Sequence, residues 1–179
     1  WVFDASVRTW SPRTGAAPPA RYGAQFALLP TGEVLLCGGY TSGGALLTDS
    51  WLFDPTMAAW KTQVGFNMPP RGVSAVASLT TGEVLVATGQ GGNNEVLGDG
   101  WLYNGISNRW SQVVPPQPSA RFGHKMAVLQ NGLVLLFGGT GASFGADLIG
   151  DGLAGTLTLM LAGGGGAIVF GSIAAWLVS

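Results

Sequence analysis

Residues 121–139 read RFGHKMAVLQNGLVLLFGG, and the same frame occurs twice upstream, as RYGAQFALLPTGEVLLCGG at 21–39 and RGVSAVASLTTGEVLVATG at 71–89. Each stretch opens on an arginine, crosses a short apolar run, turns at a glycine and ends a second apolar run on glycine. The paired runs are 24–29 with 34–37, 74–79 with 84–88, and 125–129 with 134–137. Between them stand Thr31-Gly32, Thr81-Gly82 and Asn131-Gly132. Such dipeptides signal a tight hairpin whose two central residues tolerate positive φ. Apolar runs without clean polar alternation predict strands covered on both faces.

The frame extends outward at a fixed step of fifty residues. Trp1, Trp51 and Trp101 share one position, and Trp10, Trp60 and Trp110 another. Arg21, Arg71 and Arg121 keep the same step, as do Gly39, Gly89 and Gly139. A third run begins at each leading tryptophan (Trp51-Leu52-Phe53-Asp54, Trp101-Leu102-Tyr103-Asn104), and a fourth holds Trp60 or Trp110. Each unit therefore predicts four strands and no helix. Four strands at this period are the signature of propeller blades.

These landmarks resemble the kelch repeat: an Arg-aromatic-Gly-His opening, a double glycine after strand two, an aromatic third strand and a tryptophan in the fourth. Arg121-Phe122-Gly123-His124 with Gly138-Gly139 matches best. Arg21-Tyr22-Gly23 with Gly38-Gly39 follows, and the second repeat departs at Gly72-Val73 and Thr88-Gly89. The resemblance implies an all-β propeller, as in kelch proteins and the kelch-like domain of galactose oxidase. It makes Trp1, Trp10, Trp51, Trp60, Trp101, Trp110, Arg21, Arg71, Arg121, Gly38, Gly39, Gly89, Gly138 and Gly139 repeat-structural residues. The tryptophans are expected to fill the wedge between blades, and the arginines to tie strand ends together.

The expected organisation is a half blade over 1–14, blades over 21–63 and 71–113, and a partial blade over 121–152. Joined, the half and partial blades bring the total to three, whereas closed propellers have four to eight. The chain is therefore either part of a longer propeller with further blades, or one half of a homodimer. The 27 residues at 153–179 carry no charge. Their length and apolarity predict a transmembrane helix, with Trp176 in an interfacial belt. The competing expectation is that Thr156–Leu161, with its Thr-Leu-Thr-Leu alternation, forms a strand followed by a Gly-rich linker, and that this strand supplies the missing third strand of the last blade. On the first expectation the protein is a single-pass membrane protein of open sidedness; the alternative is cytoplasmic.

Composition narrows the function. Of 179 residues 47% are hydrophobic and 9% charged, with a formal net charge of −1. No basic cluster exists to meet phosphates, so nucleic acid is excluded as a partner. One cysteine and one histidine argue against a metal centre, and no cofactor is expected. The resemblance to galactose oxidase would imply copper ligands, but His124 is the one histidine, Tyr22, Tyr40 and Tyr103 are scattered over more than one repeat, and Cys37 lies inside a strand. Glu33 and Glu83 occupy equivalent turns rather than pairing for acid–base work. Gly139-Thr140-Gly141 has no following helix and does not make a dinucleotide loop. No catalytic constellation emerges. The expected function is non-enzymatic binding of a protein partner by the loops after strand two, at 41–47, 91–97 and 140–146. The candidate partner-binding residues are Thr41, Ser42, Gln90, Asn93, Asn94, Glu95, Ser143 and Phe144. The alternative is a fragment of an oxidase or sugar-active enzyme whose catalytic residues lie outside this chain.

Overall fold

A computed structural model describes residues 1–13, 15–62, 68–141 and 158–160. Strands β1 (Val2–Asp4) and β2 (Thr9–Ser11) form a two-stranded hairpin. Strands β3 (Gln25–Leu28), β4 (Val34–Cys37), β5 (Ser50–Asp54) and β6 (Ala59–Thr62) form an antiparallel sheet in sequence order. A second such sheet contains β7 (Ala75–Ser78), β8 (Glu83–Gln90), β9 (Val96–Asn104) and β10 (Arg109–Gln112). Beyond it come β11 (Arg121–Phe122), β12 (Lys125–Val128), β13 (Val134–Phe137), β14 (Thr140–Gly141) and β15 (Thr158–Met160). Here β11 pairs with β14, and β12, β13 and β15 make a three-stranded sheet. Among the described residues there is no α-helix.

The register repeats with the sequence. Phe3 faces Trp10, Phe53 faces Trp60 and Tyr103 faces Trp110 across the outer strand pair. Their ring centroids lie 5.1, 5.2 and 5.0 Å apart, so each unit carries the same tilted aromatic pair on one face. The outer turns are built alike. Asp4, Asp54 and Asn104 each accept a backbone N–H two residues on, the local side-chain bond that makes these residues turn formers.

The inner hairpins differ from expectation. Only the glycine has positive φ, +85° at Gly32, +88° at Gly82 and +84° at Gly132. Leu29 N–H bonds Glu33 O, and Gly32 N–H bonds Leu29 O. The loop thus has three residues, with a glycine bulge closing a four-residue turn. Threonine or asparagine before the glycine keeps ordinary φ, which explains why both Thr-Gly and Asn-Gly serve one geometry.

The sheets pack face to face, and each junction is a core. Ala27, Leu29, Leu35 and Cys37 of the first sheet meet Val84, Val86, Tyr103 and Trp110 of the second. On the other face of the second sheet, Ala77, Leu79 and Leu85 meet Val134, with Met126 and Val128 packed alongside. This two-sided burial is why the strands lack polar alternation. Near the start of each first strand a backbone ladder crosses between units: Val73 N–H bonds Gly23 O, and Gly123 N–H bonds Val73 O, both at 2.9 Å. The ladder needs positive φ at this position, +64° at Gly23, +53° at Val73 and +71° at Gly123. Val73 adopts it against its β-branched preference, and this is one of the two places where the second repeat departs from the motif. The other is Thr88, at +54° where its counterparts are Gly38 and Gly138.

The last sheet decides between the two expectations for the C-terminal run at its described residues. Thr158–Met160 is a strand paired antiparallel with β13, so an unbroken transmembrane helix over 153–179 does not hold there. β15 takes the third-strand place. Leu136 faces Thr158 as Leu36 faces Trp51. Alternating β-branched threonines suit a strand, and β13 offers an unpaired edge to receive them. No helix among the described residues is long and apolar enough to cross a membrane. The rest of 153–179 lies outside the described residues.

Candidate partner-docking face

The loops at 41–47 and 91–97 are held by part-buried clamps at their bases. Arg71 is fully buried, and its guanidinium donates to both carboxylate oxygens of Asp99 at 2.7 Å. The same group donates to Thr88 O at 3.1 Å and Pro69 O at 3.2 Å. Trp101 Nε1 completes the set by donating to Asp99 Oδ2 at 2.6 Å. Thr88 stands before the loop at 91–97 and Asp99 follows it, so one arginine closes the loop's base. The first sheet repeats this atom for atom: Arg21 bonds Asp49 at 2.7 and 2.8 Å, Gly38 O and Pro19 O, and Trp51 bonds Asp49 at 2.6 Å. The Arg21 guanidinium, with Trp51, holds the Asp49 carboxyl below its ordinary range against the opposing effect of burial. At Asp99 burial pushes upward, and the bonds from Arg71 and Trp101 outweigh it, leaving the carboxyl lowered.

The third frame is incomplete. Arg121 bonds Gly138 O at 3.1 Å and Ser119 O at 3.2 Å, but among the described residues no carboxylate reaches it. Burial without a counter-charge lowers its pKa. Asp147 and Asp151 lie outside the described residues.

Above the clamps both loops are ordered and solvent-facing. Thr41 accepts Ala45 N–H on its hydroxyl at 3.2 Å, and its backbone pairs with Ala45 and Gly44. Thr41 is half-buried and supports the turn, while Ser42 is exposed. In the second loop Gly92–Asn94 forms a short 3-10 turn in which Asn93 and Asn94 take left-handed φ of +53° and +61°. Asparagine tolerates that conformation, and Asn93, Asn94 and Glu95 are all exposed. Gln90 Nε2 bonds Asn94 Oδ1 at 3.4 Å, which ties the turn to the strand end. Ser143 and Phe144 lie outside the described residues, and only Thr140 and Gly141 of the third loop are described.

Two tyrosines join the loops, and the sequence reading did not assign them. The Tyr40 hydroxyl lies 3.0 Å from Gln90 O and 3.3 Å from Gln90 Oε1, reaching from the first sheet to the second. Tyr22 stacks on Tyr40 at 5.2 Å and is itself largely exposed. The available signal was positional. Tyr22, Gly72 and Phe122 share one place after the arginine, and Tyr40, Gln90 and Thr140 share the place after the glycines. In every unit these two places bridge each other. A Cβ on Gly72 would lie 2.1 Å from the Tyr40 ring, so the missing side chain makes room for that ring. Gly72→Ala should therefore lower stability by about 1–3 kcal/mol through overpacking. Tyr40→Ser in the same chain should recover part of that loss, as chemical denaturation can measure.

The remaining candidates for chemistry are dispersed. Cys37 is buried, and burial pushes its thiol up to about 12, away from thiolate reactivity. Tyr103 is buried against Trp110. His124 is buried beside Thr88, whose hydroxyl lies 3.2 Å from Nε2 and 3.3 Å from Nδ1. Among the described residues no group of three or more His, Cys, Asp or Glu could hold a metal ion.

Comparison with known proteins agrees with the repeat geometry. A family model described as the KLHDC2/KLHL20/DRC7 Kelch-repeats domain matches residues 1–149. No curated protein matches the chain significantly. Kelch repeats are protein-interaction modules as a class. With its fifty-residue register, its four-stranded antiparallel sheets and a family match over most of its length, this chain belongs to the kelch-repeat family.

Proposed function

We propose that the chain is a non-enzymatic docking module, which grips a protein partner with the loops at 41–47 and 91–97 and the tyrosine pair between them. The observation that carries this reading is the contrast between clamp and loop. Part-buried Arg–Asp–Trp sets fix the loop bases, while Ser42, Asn93, Asn94, Glu95 and Tyr22 stand exposed above them. Loops held at the base lose little entropy on binding. An exposed tyrosine supplies apolar area with a polar tip, the usual make-up of an interface anchor. The membrane attachment expected from composition rests on the uncharged run after Asp151 alone, and the docking reading does not depend on it.

The test compares the intact chain with a variant carrying Tyr22→Ala, Ser42→Ala, Asn94→Gly and Glu95→Ala. Glycine at 94 keeps the left-handed turn. Partners captured from cells by the intact chain should be lost by at least tenfold, with the melting temperature unchanged within about 3 °C, as expected for surface substitutions. Equal capture by both chains would remove the loops from the binding site.

A further inference from the structure

We propose that Asn104 is a self-modification site, where the chain's own Gly105 nitrogen closes on the Asn104 side chain and converts it to aspartate or isoaspartate. Only Asn104 and Asn131 are followed by glycine, the residue whose lack of a Cβ lets its backbone approach a neighbour most closely. The fold treats the two dipeptides differently, and it favours Asn104.

At the end of β9 the Asn104 side-chain oxygen accepts Ile106 N–H and Ser107 N–H, each at 3.0 Å. Both donors sit on the oxygen that turns negative when a nucleophile adds to Cγ. This is an oxyanion hole in miniature, with both donors inside the span of about 2.7–3.1 Å that such a site requires. The turn is braced as well, because Asn108 Oδ1 accepts the hydroxyl of buried Tyr103 at 3.0 Å. Among the described residues no backbone oxygen accepts the Gly105 N–H. At Asn131 the pattern is reversed. Its oxygen has one backbone donor, Leu133 N–H at 3.1 Å, and the Gly132 N–H is spent on Leu129 O at 2.9 Å. Exposure alone would select Asn131, which is exposed where Asn104 is half-buried. The hydrogen bonds select Asn104.

The step needs only water and hydroxide. Hydroxide takes the Gly105 N–H proton, and the nitrogen bonds to Asn104 Cγ. The Cγ–Nδ2 bond then breaks, and the departing nitrogen leaves as ammonia with a proton from water, which returns the hydroxide. Water next adds to one carbonyl of the cyclic imide. Opening at Cγ gives aspartate. Opening at the Asn104 main-chain carbonyl gives isoaspartate, with the chain rerouted through the side chain. Nothing is oxidised or reduced.

The product matters because of what faces it. Aspartate holds this place in the other units, as Asp4 and Asp54, with the same turn bonds. Asp54 is paired with Lys61 at 2.8 Å, and Lys61 also holds Glu33 at 3.1 Å. The counterparts of Lys61 and Glu33 in the second sheet are Ser111 and Glu83, and Glu83 is the cross-strand partner of residue 104. A carboxylate at 104 therefore faces Glu83 with no lysine beside it, and like charges directly opposite weaken a strand pair. Modification thus loads the outer turn of the second sheet with a repulsion that the native amide avoids. This inference stands apart from the docking role of the loops.

The test holds the full chain in mildly alkaline buffer, folded in one sample and unfolded in urea in another. Peptide mapping by mass spectrometry follows ammonia loss, and enzymatic methylation marks isoaspartate. In the folded chain residue 104 should react at least about tenfold faster than residue 131, a modest share of what oxyanion donors supply. In urea the two should converge, because both are then plain Asn-Gly. Gly105→Pro installs the residue that the first unit carries at Pro55 and removes the attacking N–H. It should leave Asn104 intact while Asn131 reacts as before. Asn104→Asp should lower the urea midpoint, and Ser111→Lys in the same chain should restore it. Equal rates at 104 and 131 in the folded chain, or a ranking that survives in urea, would overturn the proposal. A midpoint indifferent to Asn104→Asp would overturn the consequence drawn for the turn.

Discussion

Arg71→Met is expected to be the most damaging single change in the chain, lowering unfolding free energy by about 3–5 kcal/mol, the cost of breaking a buried ion pair from one side. Arg71 is fully buried and fills four hydrogen-bonding roles: two to Asp99, one to Thr88 O and one to Pro69 O. Methionine matches much of the volume but leaves the Asp99 carboxylate with Trp101 as its remaining side-chain donor. The same substitution at Arg21 should cost less, because Asp49 is somewhat more open to water and can be rehydrated. At Arg121 it should cost least, because no carboxylate among the described residues would be stranded. Adding Asp99→Leu to Arg71→Met should recover part of the loss, since an apolar pair has no unmet charge. Urea midpoints ordered Arg71, Arg21, Arg121 from most to least affected would establish the clamp. Equal losses at all three would show that the arginines act through packing alone.

Much of this arrangement was legible in the residues. The fifty-residue step locates every four-stranded unit, because strand pairing and interlocking aromatic pairs demand the same residue types at the same places. Arg71 was visible as a landmark, but its pairing with Asp99 was not. They stand 28 residues apart, and only the sheet order β7-β8-β9 brings the start of the first strand beside the start of the third. Tyr40 was hidden for a different reason. Its role depends on Gly72, 32 residues away, having no side chain, and Gly72 looked like a lapse in the motif rather than a socket. In the C-terminal run, composition and local pattern point different ways at Thr158–Met160. A long uncharged stretch reads as a membrane span, yet the local alternation at Thr158-Leu159 and the open edge of β13 make a strand there. Edge availability is a tertiary property and leaves no mark on hydropathy.

Acid should weaken the junction between the second and third sheets before the Asp49 and Asp99 carboxyls are protonated. His124 is the only histidine, and burial, reinforced by the Arg121 and Lys125 cations, pushes it down to about 4. A hydrogen bond with the Ala87 backbone acts in the opposite direction and is outweighed. Thr88 lies against both ring nitrogens, so a neutral ring has a hydroxyl partner while a second proton has no counter-charge among the described residues. In the unfolded chain the ring titrates near its ordinary 6.5. Above that value both states are neutral and the histidine adds no pH dependence. As pH falls from about 6.5 toward 4 the unfolded state takes up the proton first, and stability drops, by up to about 3 kcal/mol in total. The Asp49 and Asp99 carboxyls are lowered instead. Their contribution is present above the ordinary carboxylate range and fades only as pH falls through their lowered values. The window from pH 7 to 5 therefore belongs to His124. Denaturation midpoints should fall across that window in the native chain and stay flat in His124→Ser, which places at this position the residue the second repeat carries at Ser74. A ring that titrates near 6.5 by NMR in the folded chain, or a slope that survives the substitution, would locate the acid sensitivity elsewhere.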